Sequence, residues 1–212
     1  MLRWAMTESR RKRSYDPEGM RRRLLDVAAE AFQSHGYRAT GMHELMREAG
    51  VTGGALYHHF PTKKALGLAV IRDRVAAAVD ETWIEPVRTA PDALDGIAGV
   101  FDRIAAGSRQ RGAVSGCPLN NLALELSLAD PEFRSAMQAV FAAWRAAIAA
   151  RLRADQAAGR LAEADADDLA AFVVATYSGA MAQAKAQQDA APLEACARQL
   201  MRSLEGLRRG TA

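Results

Sequence analysis

The sequence predicts an all-α protein, an N-terminal three-helix head with a helix-turn-helix joined to a larger helical body, about nine helices in all. Three observations predict it. Apolar residues recur at three- and four-residue spacing along most of the 212-residue chain. Helix-opening pairs punctuate that pattern: Asp16-Pro17, Pro91-Asp92, Cys117-Pro118 and Asp130-Pro131. Between two short amphipathic runs stands Ala49-Gly50-Val51-Thr52, in which Gly50 can take the left-handed conformation that ends a helix sharply.

In order along the chain, the first helix opens at Asp16-Pro17 and keeps Met20, Leu24, Val27, Ala28, Ala31 and His35 in helical register. The second covers 42–48, turning Leu45, Met46 and Ala49 inward. Val51 anchors the turn and Thr52 caps the third helix, 53–59, with Leu56 inside and Tyr57 and His58 outside. A long fourth helix runs from 63 to about 85, where Pro86 stops it. The fifth opens at Pro91-Asp92 and reaches about 110, and 111–116 is a glycine-containing loop. Helices then cover 118–129, 131 to about 158, 165–188 and 193–208, the last two separated by Ala-Ala-Pro. This divides the chain into a basic mobile arm (1–15), a head (16–64) and a body (65–212).

Composition narrows the class. No stretch of about eighteen apolar residues exists, and the basic N-terminus lacks an apolar signal region, so neither a membrane span nor export is expected. Met6 is a second candidate initiator. Two cysteines, Cys117 and Cys196, without Cys-x-x-Cys spacing, suit a reducing cytoplasm and argue against structural zinc. All four histidines, His35, His43, His58 and His59, lie close together, but no two are four apart and no cysteine is near, so no metal site and no cofactor is implied. A nucleophile–base pair, an acidic dyad and a phosphate-binding glycine loop are missing, which argues against an enzyme. Charge is uneven: residues 1–75 hold 14 Lys and Arg against 8 Asp and Glu, leaving 14 against 17 for the rest. A basic front and a mildly acidic back suit phosphate contacts made by one end.

The ordered set Ala31-Phe32, Gly36-Tyr37, Ala49-Gly50-Val51, Leu56-Tyr57-His58-His59-Phe60 and Lys63-Lys64-Ala65-Leu66 resembles the DNA-binding domain of the TetR (tetracycline repressor) family. The resemblance spans Leu24 to Val70. It implies a homodimeric transcription regulator, most simply a repressor but with an activator open, whose partners are a double-stranded DNA operator and a small-molecule effector. It also implies DNA contacts at Thr40, Thr52, Gly53, Gly54, Tyr57, His58 and Lys63, chiefly to phosphates. The pattern departs at Met46, where a small residue is usual, at Gly41 in place of a hydroxyl (Thr40 capping instead), and at Gly53 and Ala55, where a basic and a hydroxyl residue are common.

The body resembles the family in length and helical layout, which implies a ligand-binding and dimerisation domain. Phe101, Met137, Phe141, Trp144 and Tyr177 fall on inward helical faces, with Asn120, Asn121, Tyr177 and Gln183 as polar candidates, and the set suits a small neutral or weakly polar effector. Cys117 is the expected N-cap residue of the sixth helix, where the helix dipole favours a thiolate. Gly116-Cys117 followed by Asn120-Asn121-Leu122 resembles one branch of the family, and some members sense electrophiles or oxidants through cysteine; a plain helix cap beside the cavity is the other reading. The last two helices look like the family's four-helix dimer bundle. Val173, Val174, Tyr177 and Met181 form one apolar stripe and Leu200 and Leu204 belong to a second, with the two recognition helices of a dimer roughly 34 Å apart.

Overall fold

Nine helical rods make up the described residues, 16–209, of this computed structural model; the basic arm expected over 1–15 lies outside them. Helix α1 (Pro17–His35) is capped by Asp16, whose carboxylate accepts the Gly19 amide at 2.8 Å. It buries Leu24, Leu25, Ala28, Ala31 and Phe32 against the inward residues of α2 (Met42–Ala49) and α3 (Gly53–His59). Gly50 ends α2 at φ 63°, and Val51 donates to the Met46 carbonyl at 3.1 Å, which fixes the tight turn between the pair. Thr40 does not cap α2: its hydroxyl donates to the Gly36 carbonyl at 2.8 Å, and Gly41 occupies the cap position.

Helix α4 is one rod over 63–89, longer than Pro86 allows on the simplest reading. Two of its turns, Ile71–Val75 and Asp80–Ile84, are widened, so that Ala76 and Glu85 donate to carbonyls five residues back. The widened turn directly before Pro86 loosens the contact between the proline ring and the preceding turn, and the helix passes through to Thr89.

The body continues with α5 (Ala93–Arg111), α6 (Pro118–Leu126), α7 (Pro131–Ala157), α8 (Ala166–Gln187) and α9 (Ala191–Glu205). Helix α6 stops three residues before the expected end, because the Ala129 and Asp130 amides both turn back to the Leu126 carbonyl and Asp130 then caps α7. Helix α9 starts and ends earlier than expected. Past it, the Leu207 carbonyl accepts the Ala162 amide at 2.8 Å, tying the chain end to the α7–α8 loop. At the centre, one aromatic residue from each of four helices interlocks: Trp83, Phe101, Trp144 and Tyr177, with ring centroids 4.9 to 5.9 Å apart.

The expected dimer stripe has a different role. Val173, Val174, Tyr177, Met181, Leu200 and Leu204 are each at most 5% exposed within the single chain. The most apolar face of α8 packs against α7 and α9, so these residues close the body's own core. The outward face of α8 carries Phe172, Ala175, Gly179 and Ala182, with Phe172 half exposed.

The end of the body far from the head is held by a buried carboxylate. Asp155 is fully buried and accepts the Ala93 amide at 2.6 Å, Arg151 at 3.2 Å and Arg160 at 2.9 Å. Arg151 also donates to the carbonyls of Arg88, Ala90 and Pro91, closing the α4–α5 connection. Truncating the centre of such a network strands its donors. Asp155→Ala is expected to lose about 2–4 kcal/mol in a urea titration with an unchanged slope; a loss below about 0.5 kcal/mol would show that the network carries no stability.

Candidate DNA-reading helix and effector cavity

The first turn of α3 is nearly bare. Thr52 caps it by accepting the Ala55 amide at 3.3 Å, and Gly53, Gly54 and Ala55 follow without long side chains. Gly53, Gly54, Tyr57 and His58 fall on one side of the helix by their one- and four-residue offsets, and Gly54, Tyr57 and His58 are exposed. Leu56 and Phe60 pin the opposite side in the head's core. Two of the departures in the motif meet here: the Met46 sulfur lies 3.6 Å from the point where a side chain at Gly53 would begin, so bulk absent from position 53 is supplied from 46.

Lys63 sits at the edge of this face but folds inward. Its ammonium donates to the Arg38 carbonyl at 3.1 Å and lies 4.6 Å from the centre of the Tyr37 ring. Burial lowers its pKa from the ordinary lysine value, against the opposing pull of Glu125. Thr40 is buried with its hydroxyl already bonded, so its side chain does not reach the exposed face. Among the described residues no group of three or more His, Cys, Asp or Glu is placed to hold a metal ion.

In the body a cavity of about 410 Å³ lies between α4, α5, the N-terminal end of α6, α7 and α8. Of the residues expected to contact a ligand, Cys117, Trp144 and Tyr177 line it. Phe101 packs behind the cavity, edge-on to Trp83 and Tyr177. Asn120 and Asn121 are turned elsewhere: Asn120 donates to the Ser178 carbonyl at 3.4 Å, and Asn121 to Gln33 at 3.2 Å and to the Ser115 carbonyl at 3.0 Å. Met137 and Phe141 line a separate groove with Ala171 and Ala175, and Gln183 is exposed on α8. Sequence reasoning missed Trp83, Arg103 and Arg111 as lining residues. Val75, Val79 and Trp83, at spacings of four, were the available signal for the α4 wall.

Cys117 is the N-cap residue of α6, as expected, but its sulfur makes no capping hydrogen bond. Its chemistry is the reverse of the expected thiolate. Burial pushes the thiol's pKa up, outweighing the amides of Asn120 and Leu119 and the Tyr177 hydroxyl, which act the other way. Burial likewise raises the Tyr177 hydroxyl, and the neighbouring thiol adds to the effect. Two further polar groups of the cavity's aromatic residues are enclosed: the Trp83 indole N–H, which faces the Tyr177 hydroxyl, and the Trp144 indole N–H, which has no acceptor.

Residues 24–70 match the family model described as bacterial regulatory proteins, tetR family, and residues 93–199 match the C-terminal domain of LmrA/YxaF-like transcriptional regulators. The chain belongs to the TetR family of transcription regulators. It is similar to the transcriptional regulator AcuR of Cereibacter sphaeroides, 31% identical over 180 residues, 82% of this chain and 80% of that one. To YxaF, an HTH-type regulator of Bacillus subtilis, it is 26% identical over 181 residues, covering 85% and 92%. Among solved structures, a TetR regulator from Chloroflexus aurantiacus superposes with a TM-score of 0.80 at 30% identity, covering 91% of this chain and 98% of that one. The reduced form of Escherichia coli NemR shares the fold, with a TM-score of 0.81 at 24% identity over 92% and 100% of the two chains. No helix among the described residues is long and apolar enough to cross a membrane.

The raised thiol pKa sets a rate. In the folded protein Cys117 is expected to react with iodoacetamide at pH 8 more slowly than the half-buried Cys196, followed by mass spectrometry of the two peptides. Faster labelling at Cys117 would contradict the buried, protonated thiol.

Proposed function

We propose that this TetR-family regulator is a homodimeric cytoplasmic repressor that holds a palindromic operator until a small-molecule effector enters the body's cavity and releases it. The observation that carries this reading is a set of hydrogen bonds joining the cavity wall to the head. Gln33 of α1 donates to the carbonyls of Ser115 and Gly116 at 3.0 and 2.8 Å, and Gly116 and Cys117 both line the cavity. In the last turn of α6, Glu125 accepts the amides of Tyr37 and Arg38 at 2.9 and 2.6 Å. A ligand that displaces residues 116–119 therefore moves α6 and, through Glu125 and Gln33, the exit of α1 on which α2 and α3 are mounted. In a dimer, a small change of that angle in each head alters the spacing of two recognition helices whose match to the operator is one DNA turn.

On the DNA, Tyr57 and His58 donate to phosphates, Thr52, Gly53 and Gly54 let the sugar-phosphate backbone approach α3, and Lys63 swings out from Tyr37 to add a charged contact. Two protomers meet through the outward face of α8, where Ala175, Gly179 and Ala182 permit close helix approach and Phe172 supplies apolar area. Sensing of electrophiles through Cys117 is the competing reading. The thiol's place in the cavity wall favours it, and the raised pKa works against it.

The test is titration of inverted repeats from the DNA upstream of the chain's own gene. Tyr57→Ala and Lys63→Ala should each weaken binding and make its salt dependence shallower by about one unit per lost phosphate contact. Equal affinity for a scrambled duplex at moderate salt would end the operator reading. With an effector in hand, Gln33→Ala should narrow the ratio of operator affinities measured without and with it; an unchanged ratio removes the α1–loop link from the mechanism. Phe172→Glu should sediment as a monomer with little change in melting temperature, and a persisting dimer would move the interface off this face.

A further inference from the structure

We propose that the cavity takes a flat, conjugated or aromatic monocarboxylate, its ring system against Trp83, Trp144 and Tyr177 and its carboxylate at the mouth, on the face of α5 that carries Arg103 and Arg111. This rests on reading the cavity as the effector site and names the chemistry that the site recognises. The lining combines the aromatic rings with aliphatic side chains, Val75 and Val79 on the α4 wall with Trp83, and Val100 and Ile104 on α5. Its enclosed polar side chains lean toward donation. The two indole N–H groups can only donate: that of Trp83 faces the Tyr177 hydroxyl, and that of the fully buried Trp144 has no acceptor. A volume of about 410 Å³ holds one or two fused rings.

The mouth supplies the charge. Arg103, Gly107 and Arg111 recur at four-residue spacing on the cavity face of α5. A Cβ at Gly99 would lie 3.3 Å from an Arg103 guanidinium nitrogen, and one at Gly107 would lie 3.1 Å from an Arg111 nitrogen. Each guanidinium therefore lies back along its own helix over a glycine. Glycine is unfavourable inside a helix, and at these two places its missing side chain leaves room for an arginine laid flat. Among the described residues neither Arg103 nor Arg111 has a carboxylate within 4.0 Å, whereas Arg109, on another face of the same helix, is paired with Glu194. The lining contains one carboxylate, Glu81, against the two guanidinium groups. One surplus positive charge matches a monoanion. A phosphate dianion would exceed it, and a neutral ligand would leave the planar donor forks unused. The neutral or weakly polar effector that the sequence suggested is therefore set aside: the charged pair is visible only once residues 103 and 111 are seen to share a cavity.

The probe pair is 2-naphthoate and its neutral isostere 2-naphthamide, titrated calorimetrically into the full chain without DNA. The acid is expected to bind about tenfold or more tightly than the amide. The exposed double variant Arg103→Gln/Arg111→Gln, checked for an unchanged melting temperature, should bring the acid to the level of the amide and leave the amide's affinity unchanged. Naphthoate should also slow the labelling of Cys117 in the cavity wall. Equal affinities for acid and amide, discrimination that survives loss of both arginines, or absence of heat and of Cys117 protection with the acid at millimolar concentration would each overturn the assignment. Arginine-dependent binding that leaves the operator complex intact supports the ligand class while refuting effector release, so the two readings fail separately.

Discussion

Tyr37 stands where the head meets the body, and the geometry of both depends on how tightly it is held there. Its ring is edge-on to Phe32 of α1 at 5.1 Å and to Phe133 of α7 at 5.0 Å, with the Lys63 ammonium 4.6 Å from its centre. Its backbone amide belongs to Glu125 of α6. The junction exists because position 67 has no side chain: a Cβ there would fall 2.7 Å from the Tyr37 ring and 2.9 Å from Phe133. Beside it, Lys64 pairs at 2.7 Å with both Asp130 and Glu132 at the start of α7, and the Asp130 carboxyl is held below its usual pKa chiefly by that lysine. Helices α1, α4, α6 and α7 are thus fixed to one another by packing or charge at this junction.

The opposite end of the body is equally fixed, by Asp155 and by Arg208, which pairs with both Asp92 and Asp95. Between two tightly held ends lies the cavity, where the Trp144 indole N–H has no acceptor and a long helix is locally rewound. The widened turns of α4 bracket Ala76–Val79, which forms part of the cavity wall. A rod that starts in the head, is loosened twice beside a cavity, and ends at the Arg151 clamp can transmit a local change of shape without loss of its anchors.

Much of this architecture was legible because it follows from local chemistry. The caps at Asp16, Asp92, Asp130 and Asp165, and the left-handed glycine at 50, are decided by the residue itself and its next few neighbours. What was not legible depends on residues distant in sequence. Pro86 reads as a stop unless the widened turn before it is known. The stripe through Val173, Val174 and Met181 looks the same whether it faces a partner or the chain's own α7 and α9. At Cys117 the helix dipole was readable and the burial was not, and burial is the larger influence. Thr40 was placed near DNA by its neighbours in the motif, yet its hydroxyl is bonded one turn back to Gly36. Cavity membership failed for the same reason: Asn120, Asn121, Met137 and Phe141 are on helices that line the cavity, but on other faces of them.

The bare first turn of α3 bears on how a DNA sequence is recognised at all. In the proposed docking, which puts Gly53, Gly54 and Ala55 nearest a groove, few side chains can reach the edges of bases, and Tyr57 and His58 suit backbone oxygens better than a donor–acceptor code. Discrimination then falls to the duplex itself: which base steps bend cheaply, where the minor groove narrows, and how well a given sequence adopts the curvature that two heads impose. Preference in such a system is spread over the spacer between half-sites as much as over the half-sites themselves, so duplexes with the same half-sites but stiffer or softer centres are different targets to this protein.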